Sequence, residues 1–260
     1  MSRPPASPEM SWAGLRRTTP ARIGLGRAGM GLPTAAHLDF QRDHALARDA
    51  VYAPLDGDAV AAGVADIGLD PIRLRSRAAG RADYLRRPDL GRSLDAESRQ
   101  RLEQYPARCE IAFVIADGLA AAAVNRHAVP LVRTVMARWR ETPPRLGPVA
   151  IVEGGRVAIA DEIGGLLGAD LAAILIGERP GLTAPDSLGI YLTWQPAPGA
   201  VDSARNCLSN IRPEGLPIAD AAEALIRLIA AARRHRMTGI ALSRRLAVDG
   251  PSSPRLPLGP

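Results

Sequence analysis

The sequence contains no lysine, and all 33 of its basic residues are arginine. Its 260 residues include only two cysteines, four histidines and 3% aromatic residues. The cysteines and histidines form no CxxC pair and no HExxH or HxH spacing, so we expect no metal site built from protein side chains. The low aromatic content leaves few side chains on which unpaired nucleic acid bases could stack. These absences argue against a metalloprotein and against a protein that binds single-stranded nucleic acid.

Long apolar runs are missing as well. No stretch approaches the roughly 18 apolar residues of a membrane span, so we expect no membrane-spanning segment. The first residues are polar and contain proline, unlike the apolar centre of a signal peptide, so we expect a cytoplasmic protein. The net charge of +6 comes from dispersed arginines. We interpret it as a solvated surface and expect neither a nucleic acid nor a membrane as partner.

Composition changes along the chain predict four parts. They are a flexible leader at residues 1–20, a mainly helical portion at 21–100, an α/β domain at 101–245 and a flexible tail at 246–260. An arginine-dense segment at 73–92 lies in the helical portion. It is either a solvated surface or a contact with a partner chain.

The domain at 101–245 alternates short apolar runs with helical patterns. Strands are predicted at 110–116, 148–152, 171–176 and 188–194; helices are predicted at 34–50, 56–67, 95–102, 119–140, 161–168 and 218–236. Short, continuously apolar strands between helices are typical of a parallel sheet covered on both faces. The predicted fold class is therefore α/β, with a Rossmann-like parallel sheet flanked by helices and preceded by a smaller helical N-terminal portion.

One glycine-rich segment, Gly24-Leu25-Gly26-Arg27-Ala28-Gly29, matches the GxGxxG pattern literally. A dinucleotide site needs a strand before this pattern and a helix directly after it. Pro20 lies just before the segment and Pro33 follows it, which favours an ordinary loop. A nucleotide-dependent, Rossmann-like oxidoreductase that uses this loop is our alternative hypothesis.

Two later segments are better candidates for a ligand site. Glu178 follows the predicted strand at 171–176, and ligands bind at the carboxyl ends of parallel strands. The alternative is a surface turn in which Glu178 pairs with Arg179. Residues 205–215 are predicted to form a long polar loop, in which Cys207 is better explained as a small residue against a ligand than as a nucleophile, because no histidine lies nearby in sequence. The chain alone therefore looks like a binding subunit with no catalytic residue of its own.

Several motifs carry a family resemblance. They include Tyr84-Leu85-Arg86-Arg87-Pro88-Asp89-Leu90-Gly91-Arg92, Gly155-Arg156-Val157, Ile176-Gly177-Glu178-Arg179-Pro180-Gly181-Leu182 and Cys207-Leu208-Ser209-Asn210-Ile211. In their order and spacing, over residues 12–243, the chain resembles the small (light) subunit of ethanolamine ammonia-lyase.

The resemblance implies an adenosylcobalamin-dependent radical enzyme that converts ethanolamine to acetaldehyde and ammonia. It implies a hetero-oligomer in which the large subunit carries the radical chemistry and the small subunit covers the cobalamin at their interface. The cofactor contacts that it carries over are Val157, Glu178 and Cys207, none of them a ligand of the cobalt. Location inside a bacterial microcompartment stays open, as does a role of the leader as an encapsulation signal.

Overall fold

The computed structural model describes residues 12–105, 108–139 and 144–248. The helices are α1 Trp12–Arg16, α2 Thr34–Tyr52, α3 Gly57–Ala65, α4 Arg81–Arg86, α5 Ala96–Glu103, α6 Ala121–Arg138, α7 Ile159–Leu166, α8 Ile218–His235 and α9 Gly239–Val248. The strands are β1 Pro71–Arg75, β2 Ile111–Ala116, β3 Val149–Glu153, β4 Leu171–Gly177, β5 Leu188–Trp194 and β6 Arg205–Ile211.

These strands form one sheet in the order β1-β3-β2-β4-β5-β6. The first four in that order are parallel, whereas β5 is antiparallel to β4 and β6 is antiparallel to β5. Every residue of β2 and β4 is buried, because both strands lie inside the sheet and have helices on both faces. The predicted α/β class, with a helix-flanked sheet and a helical N-terminal portion, is confirmed. The apolar pattern did not reveal that β5 runs opposite to the other strands of the sheet.

Helices cover the two faces of the sheet in different ways. Ile111, Phe113 and Ile115 of β2 share a core with α6 and α8, whereas Ala112 and Val114 face the core that contains α7. The chain therefore leaves β2 over one face and leaves β3 over the other. Such divergent connections open a crevice at the carboxyl edge of a sheet.

One strand replaces a predicted loop. We expected residues 205–215 to form a polar loop, but Arg205–Ile211 is β6 and pairs with β5. Arg205 and Asn206 are buried there, and both have hydrogen-bond partners. A strand with buried polar residues lacks the usual apolar pattern, so it is difficult to predict from the local sequence.

Another strand comes from the portion that we predicted to be mainly helical. β1, Pro71–Arg75, buries Ile72 and Leu74 and alternates them with arginines. Arg73 pairs with Asp58 and Glu153, so part of the arginine-dense segment is used within the chain.

The ends of the chain are described only in part. Trp12–Arg16, within the predicted leader, forms α1, and residues 1–11 of that leader lie outside the described residues. α9 continues to Val248. Residues 249–260 of the predicted tail lie outside the described residues.

Residues 12–52, which we call the N-terminal arm, precede the sheet. The arm contains α1, the glycine-rich loop and α2, which packs against α6. Gly24, Gly26 and Gly29 have φ of +56°, +82° and +61°, and Ala28 and Gly31 close a tight turn. No strand precedes this loop in the described part of the arm. The dinucleotide fingerprint is therefore not formed there, and the oxidoreductase alternative is not favoured.

Candidate functional site

A cleft of about 390 Å³ opens at the carboxyl ends of β2, β3 and β4. The turns that follow these three strands form its floor, and side chains of α4, β5 and β6 contribute to its walls. The lining residues include Gly118, Arg156, Val157, Glu178, Tyr191 and Ser209. The cleft lies where the connections of β2 and β3 diverge to opposite faces, which is the usual ligand position in open α/β sheets.

Two glycines allow the chain segments of the floor to cross closely. Gly118 has φ +58°, and a Cβ there would lie 2.2 Å from the carbonyl oxygen of Gly177. A Cβ on Gly177 would lie 2.1 Å from the carbonyl oxygen of Ala120. Leu119 donates its backbone N–H to that same Gly177 carbonyl at 2.9 Å. Any side chain at either glycine would push the turn after β2 away from the end of β4.

Glu178 is held at the mouth of the cleft by β6. The Ser209 hydroxyl donates to its Oε1 at 2.5 Å, and the Asn210 backbone N–H donates to its Oε2 at 3.0 Å. Gly189 on β5 leaves room for this carboxylate, because a Cβ there would lie 2.9 Å from Oε1. Glu178 is thus bound to β6, in contrast to the surface turn that would pair it with Arg179. A carboxylate with one bond on each oxygen keeps lone pairs for further donors.

Asp117, the first residue after β2, connects the turn after β2 to the turn after β3 through hydrogen bonds. Its carboxylate accepts backbone N–H groups from Gly118 at 2.9 Å, Gly154 at 3.0 Å and Gly155 at 3.1 Å. Burial raises the pKa of Asp117 to about 6, although these three N–H donors and Arg81 oppose the shift. Sequence reasoning did not select this residue as functional. The sequence signal that could have indicated Asp117 is an acidic residue that directly follows a buried strand and precedes a glycine.

Tyr84 of α4 forms one wall between two arginines. The guanidinium carbons of Arg156 and Arg81 lie 4.1 and 4.8 Å from the centre of its ring. Arg156 donates to the Tyr84 carbonyl at 2.7 Å, and Arg81 donates to the carbonyls of Gly118 and Leu119 at 2.7 and 2.8 Å. Burial raises the pKa of Tyr84 to about 12, so its hydroxyl stays neutral at physiological pH. This stack connects the arginine-dense segment to the floor of the cleft.

Two of the three predicted cofactor contacts line this cleft, and the third lies beside it. Val157 and Glu178 line the cleft directly. Cys207 is exposed on β6, opposite Tyr191 of β5 and two residues from Ser209. Because side chains alternate along a strand, Cys207 and Ser209 share a face. Desolvation raises the pKa of the Cys207 thiol although the side chain still reaches solvent, and a raised pKa disfavours a nucleophilic thiolate.

Two acids of α7 have structural roles. Arg205 donates to Oδ1 of Asp161 at 2.6 Å, with both side chains buried. Glu162 accepts the Leu94 backbone N–H at 2.9 Å and pairs with Arg99. Asp161 and Glu162 lie in the first turn of α7. They connect that helix to β6, to α5 and to the segment before α5.

Metal ligands and membrane-spanning helices are the last two features to consider. Within the described ranges, no group of three or more His, Cys, Asp or Glu side chains is arranged to hold a metal ion. None of the helices in those ranges is both long enough and apolar enough to cross a membrane.

Comparisons with known proteins agree on one family. Residues 9–243 match the family described as ethanolamine ammonia-lyase light chain (EutC). The ethanolamine ammonia-lyase small subunit of Azotobacter vinelandii is 53% identical over 92% of this chain and 90% of its own length. The proteins of the same name from Pseudomonas syringae pv. tomato and Pseudomonas aeruginosa are 52% and 50% identical, over 91% and 92% of this chain and 84% and 89% of their own lengths.

Proposed function

Since the chain belongs to the ethanolamine ammonia-lyase light chain family, we propose that it is the small subunit of an adenosylcobalamin-dependent enzyme that converts ethanolamine to acetaldehyde and ammonia. Its partner is the large subunit, with which it forms a hetero-oligomer. When bound, adenosylcobalamin supplies the radical chemistry, which takes place on the large subunit. The residues of this chain bind and orient one side of the cofactor and exclude water from it.

The cleft fits one edge of a corrinoid. A corrin ring carries amide side chains around its rim, and Glu178 can accept hydrogen bonds from amide N–H groups. Val157 offers apolar contact beside it. A volume of about 390 Å³ lies at the lower end of the range of roughly 300–1,000 Å³ for sites that enclose drug-sized ligands. A complete cobalamin is much larger, so this chain would hold only part of it and the large subunit would hold the rest.

One observation supports the proposal most directly. Val157 and Glu178 come from the segments after different strands, yet they line the same cleft. Cys207 shares a strand face with Ser209, the residue whose hydroxyl holds Glu178. Two of the three residues selected from the family resemblance therefore share this cleft, and Cys207 lies beside it on β6.

The test is aldehyde formation from ethanolamine in the presence of adenosylcobalamin. This chain, a large subunit of ethanolamine ammonia-lyase, and an equimolar mixture of the two are assayed separately. We expect activity in the mixture alone, since each chain holds part of the site. Activity of the large subunit alone at the rate of the mixture would contradict a required subunit. An inactive mixture in which the chains do not associate would contradict the proposal as a whole.

A further inference from the structure

The arm exposes apolar side chains that a folded chain normally covers. Among the described residues, most of the exposed large apolar side chains lie in the arm. In α2, Leu38 and Leu46 are 57% and 51% exposed, and in the preceding loop Leu32 is 53% exposed and Met30 is fully exposed. Isolated exposed leucines are common on protein surfaces. A group of them on one short segment is a mark of an interface.

α2 differs from a normal surface helix in which of its residues are buried. Ala50 is 7% exposed and is its one buried residue, and the Asp43 side chain is 18% exposed. With 100° of rotation per residue, Ala36, Asp43, Ala47 and Ala50 share the inward face, Leu38 lies on the opposite side, and Leu46 lies between the two, about 80° around the helix from Leu38. A surface helix ordinarily turns its leucines toward the core. Leu38 and Leu46 of α2 are instead left exposed.

The arm's own residues cover a different side of α2. Arg22 pairs with Asp43, and its guanidinium lies 5.9 Å from the centre of the Phe40 ring. The glycine-rich loop thus packs on the side that carries Asp43 and Phe40. Leu38 and Leu46 remain exposed, about two turns apart along the helix.

From this arrangement we infer that the exposed surface of α2 that carries Leu38 and Leu46 is a docking surface for the large subunit of ethanolamine ammonia-lyase. This inference rests on the proposed function. One finding favours that occupant over a second copy of the chain, and it applies to the arm because the matched family region, residues 9–243, includes the arm. The relatives are all named small subunits, and a small subunit associates with a larger one.

The test uses the full chain co-expressed with a tagged large subunit. We expect the double variant Leu38→Glu/Leu46→Glu to lower the co-purified amount at least tenfold, because two charges would be buried at the contact. The milder Leu38→Ala/Leu46→Ala variant should lower it by a smaller factor. Ile240→Glu is the matched control, since Ile240 is 53% exposed outside the arm. We expect it to co-purify as the unchanged chain does.

Hydrogen exchange separates the possible occupants. We expect the amides of α2 to exchange rapidly in the isolated chain and at least tenfold more slowly in the complex. Slow exchange in an isolated monomer would overturn the inference, because the chain itself would then cover α2. Slow exchange in a dimer of this chain alone would overturn it in favour of a second copy.

The co-purification result also separates the inference from the proposed function. If the unchanged chain and the double glutamate variant both co-purify fully, the docking surface is wrong and the partnership stands. If the unchanged chain does not associate with the large subunit at all, both are wrong.

Discussion

Two helices of nearly equal length show how differently this chain uses apolar residues. α8 spans 18 residues and buries its alanines and leucines against the sheet and α6. α2 spans 19 residues, buries Ala50 and leaves Leu38 and Leu46 in solvent. Isolated helices of this length are marginal in water, and tertiary packing supplies most of their stability. α8 is therefore stabilised within the chain, whereas the described part of the chain leaves Leu38 and Leu46 of α2 uncovered.

One ion pair from the body and one from the arm show the same contrast. Arg205 and Asp161 in the body are 3% and 1% exposed. Arg42 and Asp39 on α2 are 66% and 64% exposed. Removing one partner of a buried pair leaves an uncompensated charge, whereas an exposed pair contributes little.

The largest effect is expected from Asp161→Ala. It leaves the Arg205 guanidinium buried without its carboxylate, and we expect it to lower the free energy of unfolding by about 3–5 kcal/mol. Asp39→Ala on the arm should change it by about 0.5 kcal/mol or less. Urea unfolding of both variants, followed by circular dichroism, is the measurement. Equal losses of unfolding free energy in Asp161→Ala and Asp39→Ala would contradict the contrast between the buried and the exposed ion pair.

The second-largest effect on the free energy of unfolding is expected from a comparison of one leucine in α8 with one leucine in α2. Leu225 of α8 is fully buried, so Leu225→Ala leaves a cavity and should cost about 2–5 kcal/mol of unfolding free energy. Leu46→Ala in α2 should cost no more than about 0.5 kcal/mol in the isolated chain. The same urea titration measures both. A large loss for Leu46→Ala would show that α2 is covered within the chain after all.

A pH effect of intermediate size should come from the carboxyl edge of the sheet. Burial raises the pKa of Asp117 from 3.8 to about 6, so the folded chain takes up this proton before the unfolded chain does. The contribution of Asp117 to stability therefore rises as the pH falls from about 6 to 3.8, and it is fully present below that window. The change is on the order of 2–3 kcal/mol.

The check compares the unchanged chain with Asp117→Asn in unfolding titrations across that pH range. The asparagine variant lacks the ionisable group, so the stability of the unchanged chain should rise relative to the variant as the pH is lowered. Parallel stability profiles for the two proteins would show that Asp117 does not titrate in this window.

The smallest effect concerns the cleft and rests on the proposed function. Glu178→Gln removes a charged acceptor, and we expect the complex to lose about 1–3 kcal/mol of cobalamin binding free energy without losing the large subunit. Glu223→Gln on the exposed side of α8 is the matched control. Cobalamin affinity is measured by spectroscopic titration of each complex.

Variants in the arm and in the body should impair different properties of the complex. Leu38→Glu/Leu46→Glu should impair assembly, and Glu178→Gln should impair cofactor affinity alone. An unchanged affinity in Glu178→Gln would remove Glu178 from the cofactor site.

The central fold was accessible from sequence because its signals are local. The apolar runs of β2 and β4 have no polar interruption, so they predicted buried strands regardless of their neighbours. The apolar residues of α8 recur at helical spacing, and they predicted this helix equally well. Glu178 was accessible for a related reason, since it directly follows a strand whose end could be read from the sequence.

Other features depended on contacts between distant segments. β6 was predicted as a loop because Arg205 and Asn206 are polar, and their burial is possible only beside Asp161 on α7 and Gly239 on α9. β1 was missed because arginines interrupt its two buried residues. Asp117 was not selected because its three backbone donors come partly from the segment after β3.

The sequence by itself therefore determined the buried strands, the helices between them, the family and the acid at the end of β4, since each depends on a pattern or motif within a few neighbouring residues. The tertiary structure alone decided that β5 runs antiparallel to both of its neighbours, that Ser209 holds Glu178, and that Leu38 and Leu46 of α2 are exposed. Each of these depends on which distant groups satisfy a hydrogen bond or cover an apolar surface, and such partners are set when the whole chain packs.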